Sequence, residues 1–481
     1  GLHANTQIPK LIGAARLYEL TGDQPYAVMS RFFWETVTRN HSYVTGGNSD
    51  GEHFGPPGRL RDRLSNNTTE TCNTYNMIKL SGALFRRSTD AALADYTERA
   101  LWNHILASQN PEDGMVCYFV PLRSGSHKTF LTPFDSFACC TGTGMENHAR
   151  YGESIYFHSD DTLHVNQFIP STVSWRAQEF FLRQETEFPR SDRVRLLIGV
   201  NRPLRLAVAI RHPRWANAPM RVRVNGKRWG ISAKPGEAFR VERLWHDGDE
   251  IELRLPLAFR TEAMPDDPQR QAILWGPIVL AGDLGPEDRE PIIPVLVTEG
   301  RPVDKWVRRV KGDRLQFVTR GVGRPSDVTL RPFYEVHDQR HAVYWDLFTK
   351  QSWAEREAEL RADQERLRQL EARTVDRLAI GEMQPERDHQ LEGENTTSGE
   401  NLGRKWRHAT DGGWFGFRLQ CEAGVAHELL VTYWGSDAGN RQFDIVVNGR
   451  KLATQVLERN VPGQFFDVAY GIPAELTQGR E

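Results

Sequence analysis

The chain has 481 residues, which at about 150 residues per domain predicts roughly three domains. Its 61 basic and 63 acidic residues leave a formal net charge of −2, and this balance argues against nucleic acid or an anionic membrane as the main partner. Five cysteines are too few for a disulfide scaffold, and no apolar run reaches the roughly 18 residues of a transmembrane helix.

The N-terminal third of the sequence has the apolar periodicity of α-helices. Thr6 is expected to cap the first helix and Asp23 the second, each with a proline in its first turn. A further pair of helices is predicted over residues 70–88 and 90–109, and one more helix over residues 143–157. Helices joined by short turns favour stacked α-hairpins.

Beyond residue 160 the pattern shortens to strands. Between residues 162 and 335, seven apolar or alternating segments lie between Gly, Pro, Asn and Asp, which predicts a β-sandwich. Residues 351–375 are predicted to form a highly charged helix of the kind that bridges domains. Residues 376–405 are predicted to be a loop, and strands of a second β-module are predicted from residue 413 onward.

Three short motifs in the first 140 residues carry residue types suited to chemistry. The first lies in a loop over residues 44–69 that is rich in Gly, Asn and Pro, and a loop of this length is usually functional or disordered. The residues concerned are Glu52 in this loop, Glu70 and Cys72 in ETC, and the adjacent pair Cys139 and Cys140.

Three thiolates and a carboxylate are a suitable ligand set for Zn²⁺. Residues two apart diverge on a regular helix, so Glu70 and Cys72 are expected in a turn or a first helical turn. For the same reason Cys139 and Cys140 are expected in a non-helical stretch. The spacing matches no standard zinc finger, and three interpretations stay open: buried structural cysteines, a metal site, or a strained disulfide within the adjacent pair.

The runs YVTGGNS, GEHF and ETCNTYNMIKLSGALF, followed by the CC pair, resemble the β-L-arabinofuranosidases of glycoside hydrolase families 127 and 146, with the closer match to family 146. GLHANTQIPK, WGPIVLAG, GEMQPERDHQL and GGWFGFRL are also similar to that group, so the resemblance covers nearly the whole chain. It implies an (α/α)₆ barrel followed by β-sandwich domains.

The resemblance also implies roles for individual residues. Cys139 corresponds to the nucleophile and Glu52 to the general acid/base, while His3 and Tyr118 correspond to residues that contact the sugar. The zinc ligands that it implies are Glu70, Cys72, Cys139 and Cys140.

The function expected on this basis is that of a retaining exo-glycosidase, which removes terminal β-L-arabinofuranosyl residues from an arabinose-containing glycan through a zinc-bound cysteine. Three alternatives stay open: a related helical-barrel glycosidase for a different sugar, an inactive carbohydrate-binding protein, and a structural zinc module in which Cys139 is inert. Neither nucleic acid nor a membrane is an expected partner. A polymer-derived substrate favours a periplasmic or extracellular location, although no signal segment is visible in the sequence.

The expected domains are the C-terminal half of a catalytic barrel over 1–160, a β-sandwich over 161–345, a charged linker helix over 346–375, and an incomplete β-module over 376–481. About five helices are predicted, whereas a complete (α/α)₆ barrel has twelve. We therefore expect a fragment that lacks roughly the first half of the barrel, exposes an apolar helix face, and has weak or absent activity alone.

Overall fold

The computed structural model describes residues 1–401, 404–439 and 441–478. It divides into two compact units, residues 1–355 and 356–481. Among the described residues, none of the helices combines the length and the apolar composition that crossing a membrane requires.

Five α-helices precede the first strand. They are α1 (Ala4–Thr21), α2 (Gln24–Asn40), α3 (Thr71–Ser88), α4 (Ala91–Ala100) and α5 (Cys139–Ala149). Helices α1, α2, α3 and α4 share an apolar core that includes Ile8, Trp34, Met77 and Leu93. The helical barrel implied by the resemblance stays a prediction.

The start of α1 differs from the sequence-based prediction. His3, not Thr6, is the N-cap residue, and its Nδ1 accepts a hydrogen bond from the Thr6 backbone N–H at 3.4 Å. The prediction of Thr6 was wrong because the ring nitrogen of His3 takes the place of the usual hydroxyl cap. Asp23 is the N-cap residue of α2, as predicted. Apolar side chains on the outer faces of the two helices are exposed, among them Leu20, Val28 and Phe32.

Two predicted helices have different bounds in the structure. The segment after α4 continues as a π-helical turn over Leu101–Ile105 and a 3-10 turn over Leu106–Ser108. The helix predicted over 143–157 ends at Ala149 in the structure. It begins earlier than predicted, because the Thr141 hydroxyl caps its first turn by accepting from the Ala138 N–H at 3.3 Å. The early start was missed because Gly142 and Gly144 weaken the helical signal in the first turns.

The rest of the first unit is built from short strands. They are β1 (Tyr156–His158), β2 (Thr162–Val165), β3 (Ser171–Trp175), β4 (Phe180–Thr186), β5 (Arg193–Val200), β6 (Leu204–Arg211), β7 (Arg221–Val224), β8 (Lys227–Trp229), β9 (Ala238–Trp245), β10 (Glu250–Arg254), β11 (Phe259–Met264), β12 (Asp267–Trp275), β13 (Ile278–Pro286), β14 (Val295–Val297), β15 (Val307–Arg309), β16 (Phe317–Thr319), β17 (Gly323–Arg324), β18 (Thr329–Pro332), β19 (Gln339–Ala342) and β20 (Tyr344–Phe348).

These strands form three sheets. A four-stranded sheet of order β1-β2-β6-β9 and a six-stranded sheet of order β3-β4-β5-β10-β7-β8 share one apolar core, which includes Val208 from the first and Leu253 from the second. Their strands pair antiparallel except for β2 and β6, which are parallel. Strands β11–β20 form the third sheet, of ten strands.

The ten-stranded sheet supports the loops that lead to the helical region. Tyr43 and Val120 pack with Leu274 and Val279 in one buried core. The Tyr344 hydroxyl accepts a hydrogen bond from the Val44 N–H at 2.8 Å. The sheet therefore holds Val44, at the start of the loop that carries Glu52, and Val120, two residues after Tyr118.

The second unit starts within the charged helix α6 (Lys350–Arg373). Its described residues include α7 (Met383–Asp388) and three antiparallel strand pairs. The prediction of a loop over 376–405 was wrong, because this segment contains α7 and a ten-residue strand. That strand was missed because EGENTTSGEN is polar and largely exposed, without the alternation that marks a half-buried strand. The strands are β21 (Glu392–Asn401), β22 (Arg404–Gly416), β23 (His427–Trp434), β24 (Arg441–Val447), β25 (Arg450–Leu457) and β26 (Phe465–Ile472).

Candidate active site and metal centre

The loop that carries Glu52 is held against the start of α1. The Glu52 carbonyl accepts from the Ala4 N–H at 2.8 Å, and the Phe54 N–H donates to the Leu2 carbonyl at 2.9 Å. This pairing brings His3 Nε2 to 3.5 Å from Glu52 Oε2. Glu52 has a φ of 67°, a left-handed backbone conformation that is strained for a residue with a Cβ and is enriched at functional sites.

Glu70 and Cys72 lie at the start of α3, as the sequence predicts. Glu70 is the N-cap residue and Cys72 belongs to the first turn. The Thr71 N–H donates to the Tyr118 carbonyl at 3.1 Å, which fixes the helix start beside the segment that carries Tyr118. Asn73 Nδ2 donates to Ser49 Oγ at 2.9 Å and so ties the Glu52 loop to α3.

Cys139 and Cys140 are the first two residues of α5, so the prediction of a non-helical stretch was wrong. Their sulfurs nevertheless lie 3.9 Å apart. The two side chains can converge because side chains in an α-helix tilt toward its N-terminus, and in the first turn they extend past the end of the helix. Cys139 is exposed and Cys140 is buried.

The four predicted metal ligands form one cluster. One donor atom from each of Glu70, Cys72, Cys139 and Cys140 lies within 4.8 Å of all the others. Cys72 Sγ is 3.2 Å from Cys140 Sγ, and Cys139 Sγ is 3.8 Å from Glu70 Oε1. The sulfurs of Cys139 and Cys140, 3.9 Å apart, are not joined in a disulfide, so the structure does not support the disulfide interpretation. Sulfurs bound at about 2.3 Å to a tetrahedral zinc lie about 3.8 Å apart, so this spacing fits such an ion.

The electrostatics of the cluster also fit a cation. Burial, followed by the charge of Cys140, raises the pKa of Glu70 to about 8. A hydrogen bond from Cys72 lowers the pKa of Cys140 to about 6 and correspondingly raises the pKa of Cys72. Glu70 Oε2 is buried and has no hydrogen-bond partner among the described residues. A divalent ion would satisfy this oxygen and permit all four ligands to be deprotonated.

Tyr118 connects the cluster to Glu52. Its hydroxyl donates a short hydrogen bond to Glu52 Oε1 and lies 3.5 Å from Cys139 Sγ. Burial and the bond to Glu52 raise the pKa of Tyr118, so the hydroxyl keeps its proton. The carboxylate of Glu52 therefore contacts the phenol of Tyr118, which in turn contacts the thiol of Cys139. All seven residues singled out in the sequence lie in one site.

Two further residues support the site and were not singled out in the sequence. Thr143 Oγ1 lies 3.2 Å from Cys72 Sγ, and His104 Nε2 is 3.0 Å from the Thr69 carbonyl. Burial lowers the pKa of His104 to about 4, so its ring is neutral and Nε2 can donate to that carbonyl. Thr143 could have been found from the sequence, because it lies one helical turn after Cys140. Nothing in the sequence indicates a role for His104.

Four family models match segments of the chain. Residues 1–153 match the model described as the β-L-arabinofuranosidase GH127 catalytic domain, and residues 162–257 match the GH127 middle domain. Residues 290–347 match a domain of unknown function, and residues 369–481 match a family of unknown function. None of the curated proteins matched.

Three solved structures share the fold. A GH127 β-L-arabinofuranosidase from Geobacillus stearothermophilus T6 is 20% identical with a TM-score of 0.62, covering 72% of this chain and 60% of its own. A second GH127 β-arabinofuranosidase is 22% identical with a TM-score of 0.62 and the same coverage. A glycoside hydrolase is 18% identical with a TM-score of 0.60, covering 72% and 66%. The chain therefore spans between 60% and 66% of the length of these structures.

Proposed function

Because the chain belongs, through its catalytic and middle domains, to glycoside hydrolase family 127, we propose that it is a retaining exo-glycosidase for terminal β-L-arabinofuranosyl residues. The observation that supports this most directly is the position of the Tyr118 hydroxyl, in contact with both Glu52 and Cys139. A retaining mechanism needs an acid/base and a nucleophile about 5–5.5 Å apart in the usual two-carboxylate case. Two groups within reach of one hydroxyl are compatible with that separation.

Each side chain has a defined task in this proposal. The Cys139 thiolate attacks the anomeric carbon while Glu52 protonates the departing glycosidic oxygen. Glu52 then accepts a proton from water, and the hydroxide releases the sugar from the sulfur with net retention. The Tyr118 hydroxyl orients the Glu52 carboxyl for both steps, and His3, 3.5 Å from the same carboxyl, is placed to contact the sugar.

The metal in this proposal is Zn²⁺, held by Glu70, Cys72, Cys139 and Cys140. When bound, it would keep the thiol of Cys139 ionised near neutral pH. Three sulfurs and one oxygen are a ligand set that suits this borderline-soft ion. The exposure of Cys139 supports a catalytic role over a purely structural one, since a structural site has no need to present a ligand to solvent.

The proposed partner is an arabinose-containing glycan. The test is hydrolysis of a panel of 4-nitrophenyl glycosides by the zinc-loaded chain, with Cys139→Ser and, as a matched control, Cys117→Ser, which changes a buried thiol outside the cluster. We expect nitrophenol release from the β-L-arabinofuranoside alone, lost in Cys139→Ser and retained in Cys117→Ser. Preference for another sugar, or turnover that survives Cys139→Ser, would contradict the proposal.

A further inference from the structure

A cavity of about 630 Å³ opens beside Tyr118 in the first unit. One side of it is formed by Asn66, Asn67 and the segment 118–131. The other side is formed by Glu290, Pro291, Ile293 and Arg340, all within the segment that matches a domain of unknown function. The volume is in the range of sites that enclose small organic molecules, roughly 300–1,000 Å³.

The cavity lies next to the group that would protonate the leaving oxygen. Tyr118, which lines the cavity, donates its hydroxyl hydrogen to Glu52. The Asn67 carbonyl accepts from the Gly51 N–H at 3.0 Å, directly before Glu52 in the chain. A leaving group whose oxygen is protonated by Glu52 therefore has this cavity as an adjacent space.

The lining suits a neutral, hydroxyl-rich molecule with apolar faces. Phe119, Phe130 and Ile293 supply apolar surface. The side chains of Asn67, Arg123 and Glu290 have no hydrogen-bond or ion-pair partner among the described residues, so their polar groups are available to a ligand. Cationic and acidic side chains are both present in the lining, so the cavity does not select strongly for a charged ligand. Sugars combine hydroxyl groups with apolar ring faces in this way.

The two sides of the cavity are fixed to one another. Arg340 Nη1 donates to the Gly125 carbonyl at 2.9 Å, and the Gly125 N–H donates to the His341 carbonyl at 2.8 Å. Gly125 has a φ of 86°, and a Cβ there would lie 3.0 Å from Pro291 Cγ, so the backbone approaches the opposite wall closely. His127 Nδ1 also lies 3.2 Å from Glu287 Oε2. The cavity is thus preformed and requires no loop movement to exist.

We propose that this cavity is the leaving-group subsite of the enzyme, which binds the neutral sugar to which the terminal arabinofuranosyl residue is attached. Segment 290–347 supplies the side of the cavity formed by Glu290, Pro291, Ile293 and Arg340. The inference rests on the proposed glycosidase function and assigns a role to that segment. Because a preformed subsite binds the leaving sugar, contacts in the cavity should contribute to kcat/KM for a disaccharide. This contribution should depend on residues from both sides of the cavity.

The test compares two substrates: 4-nitrophenyl β-L-arabinofuranoside, and a disaccharide in which a β-L-arabinofuranosyl unit is linked to a second arabinose. The variant is the double replacement Arg123→Ala and Glu290→Ala, one from each wall. The matched control is Arg289→Ala with Asp288→Ala, which removes the same two charges from exposed neighbouring positions.

We expect kcat/KM for the disaccharide to fall at least about tenfold in the cavity variant, as lost hydrogen bonds to a ligand would cause. The nitrophenyl leaving group has no sugar hydroxyl groups for Arg123 and Glu290 to bind, so kcat/KM for the nitrophenyl glycoside should change less than about twofold. The control should match the unchanged chain on both substrates. Equal losses on the two substrates, or no loss on the disaccharide, would overturn the proposal while leaving the glycosidase function intact.

If the unchanged chain hydrolyses neither substrate, the proposed function fails and calorimetric titration with the same disaccharide decides the subsite. Binding by the unchanged chain that is lost in the cavity variant supports the subsite. Absence of binding, or binding that the variant retains, overturns it.

Discussion

The stability of the first unit is expected to depend on one buried arginine. Arg211, at the end of β6, has a side chain only 1% exposed and pairs with Asp95 and Glu98 of α4. Its Nη2 lies 2.6 Å from Glu98 Oε1, and its Nε donates to the Asn166 carbonyl at 2.6 Å. Arg211 therefore joins the helical region to the four-stranded sheet.

Replacing Arg211 by Met should destabilise the unit strongly. The Glu98 side chain is also 1% exposed. Without the guanidinium, its carboxylate would keep a single hydrogen bond from the described side chains, the 2.7 Å bond from Trp215 Nε1. Breaking a buried pair from one side costs about 3–5 kcal/mol, because the remaining charge stays buried. Adding Glu98→Gln to Arg211→Met should recover part of this loss, since the amide carries no charge.

The matched control is Arg205→Met on the same strand. Arg205 pairs with Glu242, but the two side chains are 73% and 50% exposed, and such surface pairs contribute about 0–1 kcal/mol. The measurement is urea unfolding followed by Trp fluorescence, with hydrogen-exchange mass spectrometry to assign the transition to residues 1–355. A loss below about 1 kcal/mol for Arg211→Met, or a double variant no more stable than the single one, would refute the reasoning.

Three further predictions concern catalysis, metal binding and pH. Glu52→Gln should reduce turnover of natural glycosides more than that of nitrophenyl glycosides, whose leaving groups need little acid assistance; steady-state rates on both show this, and equal losses would count against the acid role. Cys72→Ala should lower bound zinc from one ion per chain to well below one by elemental analysis, whereas Cys117→Ala should retain it. Burial opposes ionisation of Glu262, but Arg99 and Arg260 outweigh it and lower its pKa to about 2 from 4.5. The ion pair therefore stabilises the fold above about pH 4.5, and this stabilisation is lost as the pH falls toward 2. Melting temperatures measured between about pH 4.5 and 2 should depend less on pH in Glu262→Gln than in the unchanged chain.

The sequence predicted the composition of the metal cluster better than its local geometry. Glu70 and Cys72 converge from the start of α3, as expected, because residues two apart diverge within a regular helix but can approach one metal ion from its first turn. The same argument failed for Cys139 and Cys140, since a first helical turn, and not only a non-helical stretch, also brings two adjacent side chains together.

Other features depend on contacts distant in the chain and could not be predicted from local pattern. Tyr118 lies 66 residues after Glu52, and their hydrogen bond depends on two loops that the ten-stranded sheet supports. Strand β21 is held by its hydrogen bonds to β22, and neither of its faces is buried. Its sequence therefore has no apolar alternation from which the strand could be predicted. The cavity beside Tyr118 likewise arises from segments more than 150 residues apart in the chain.

The central claim is that Cys139 is the nucleophile that attacks the anomeric carbon of the sugar. Covalent labelling tests this claim most directly. The zinc-loaded chain is incubated with an epoxide or haloacetamide of β-L-arabinofuranose configuration, and the modified residue is identified by peptide mass spectrometry. Cys421, a partly exposed thiol outside the cluster, reports general thiol reactivity within the same chain. We expect a single adduct, on Cys139 and absent from Cys139→Ser, with Cys421 unmodified. An adduct on Cys421 alone, or none on a chain that contains zinc, would contradict the account.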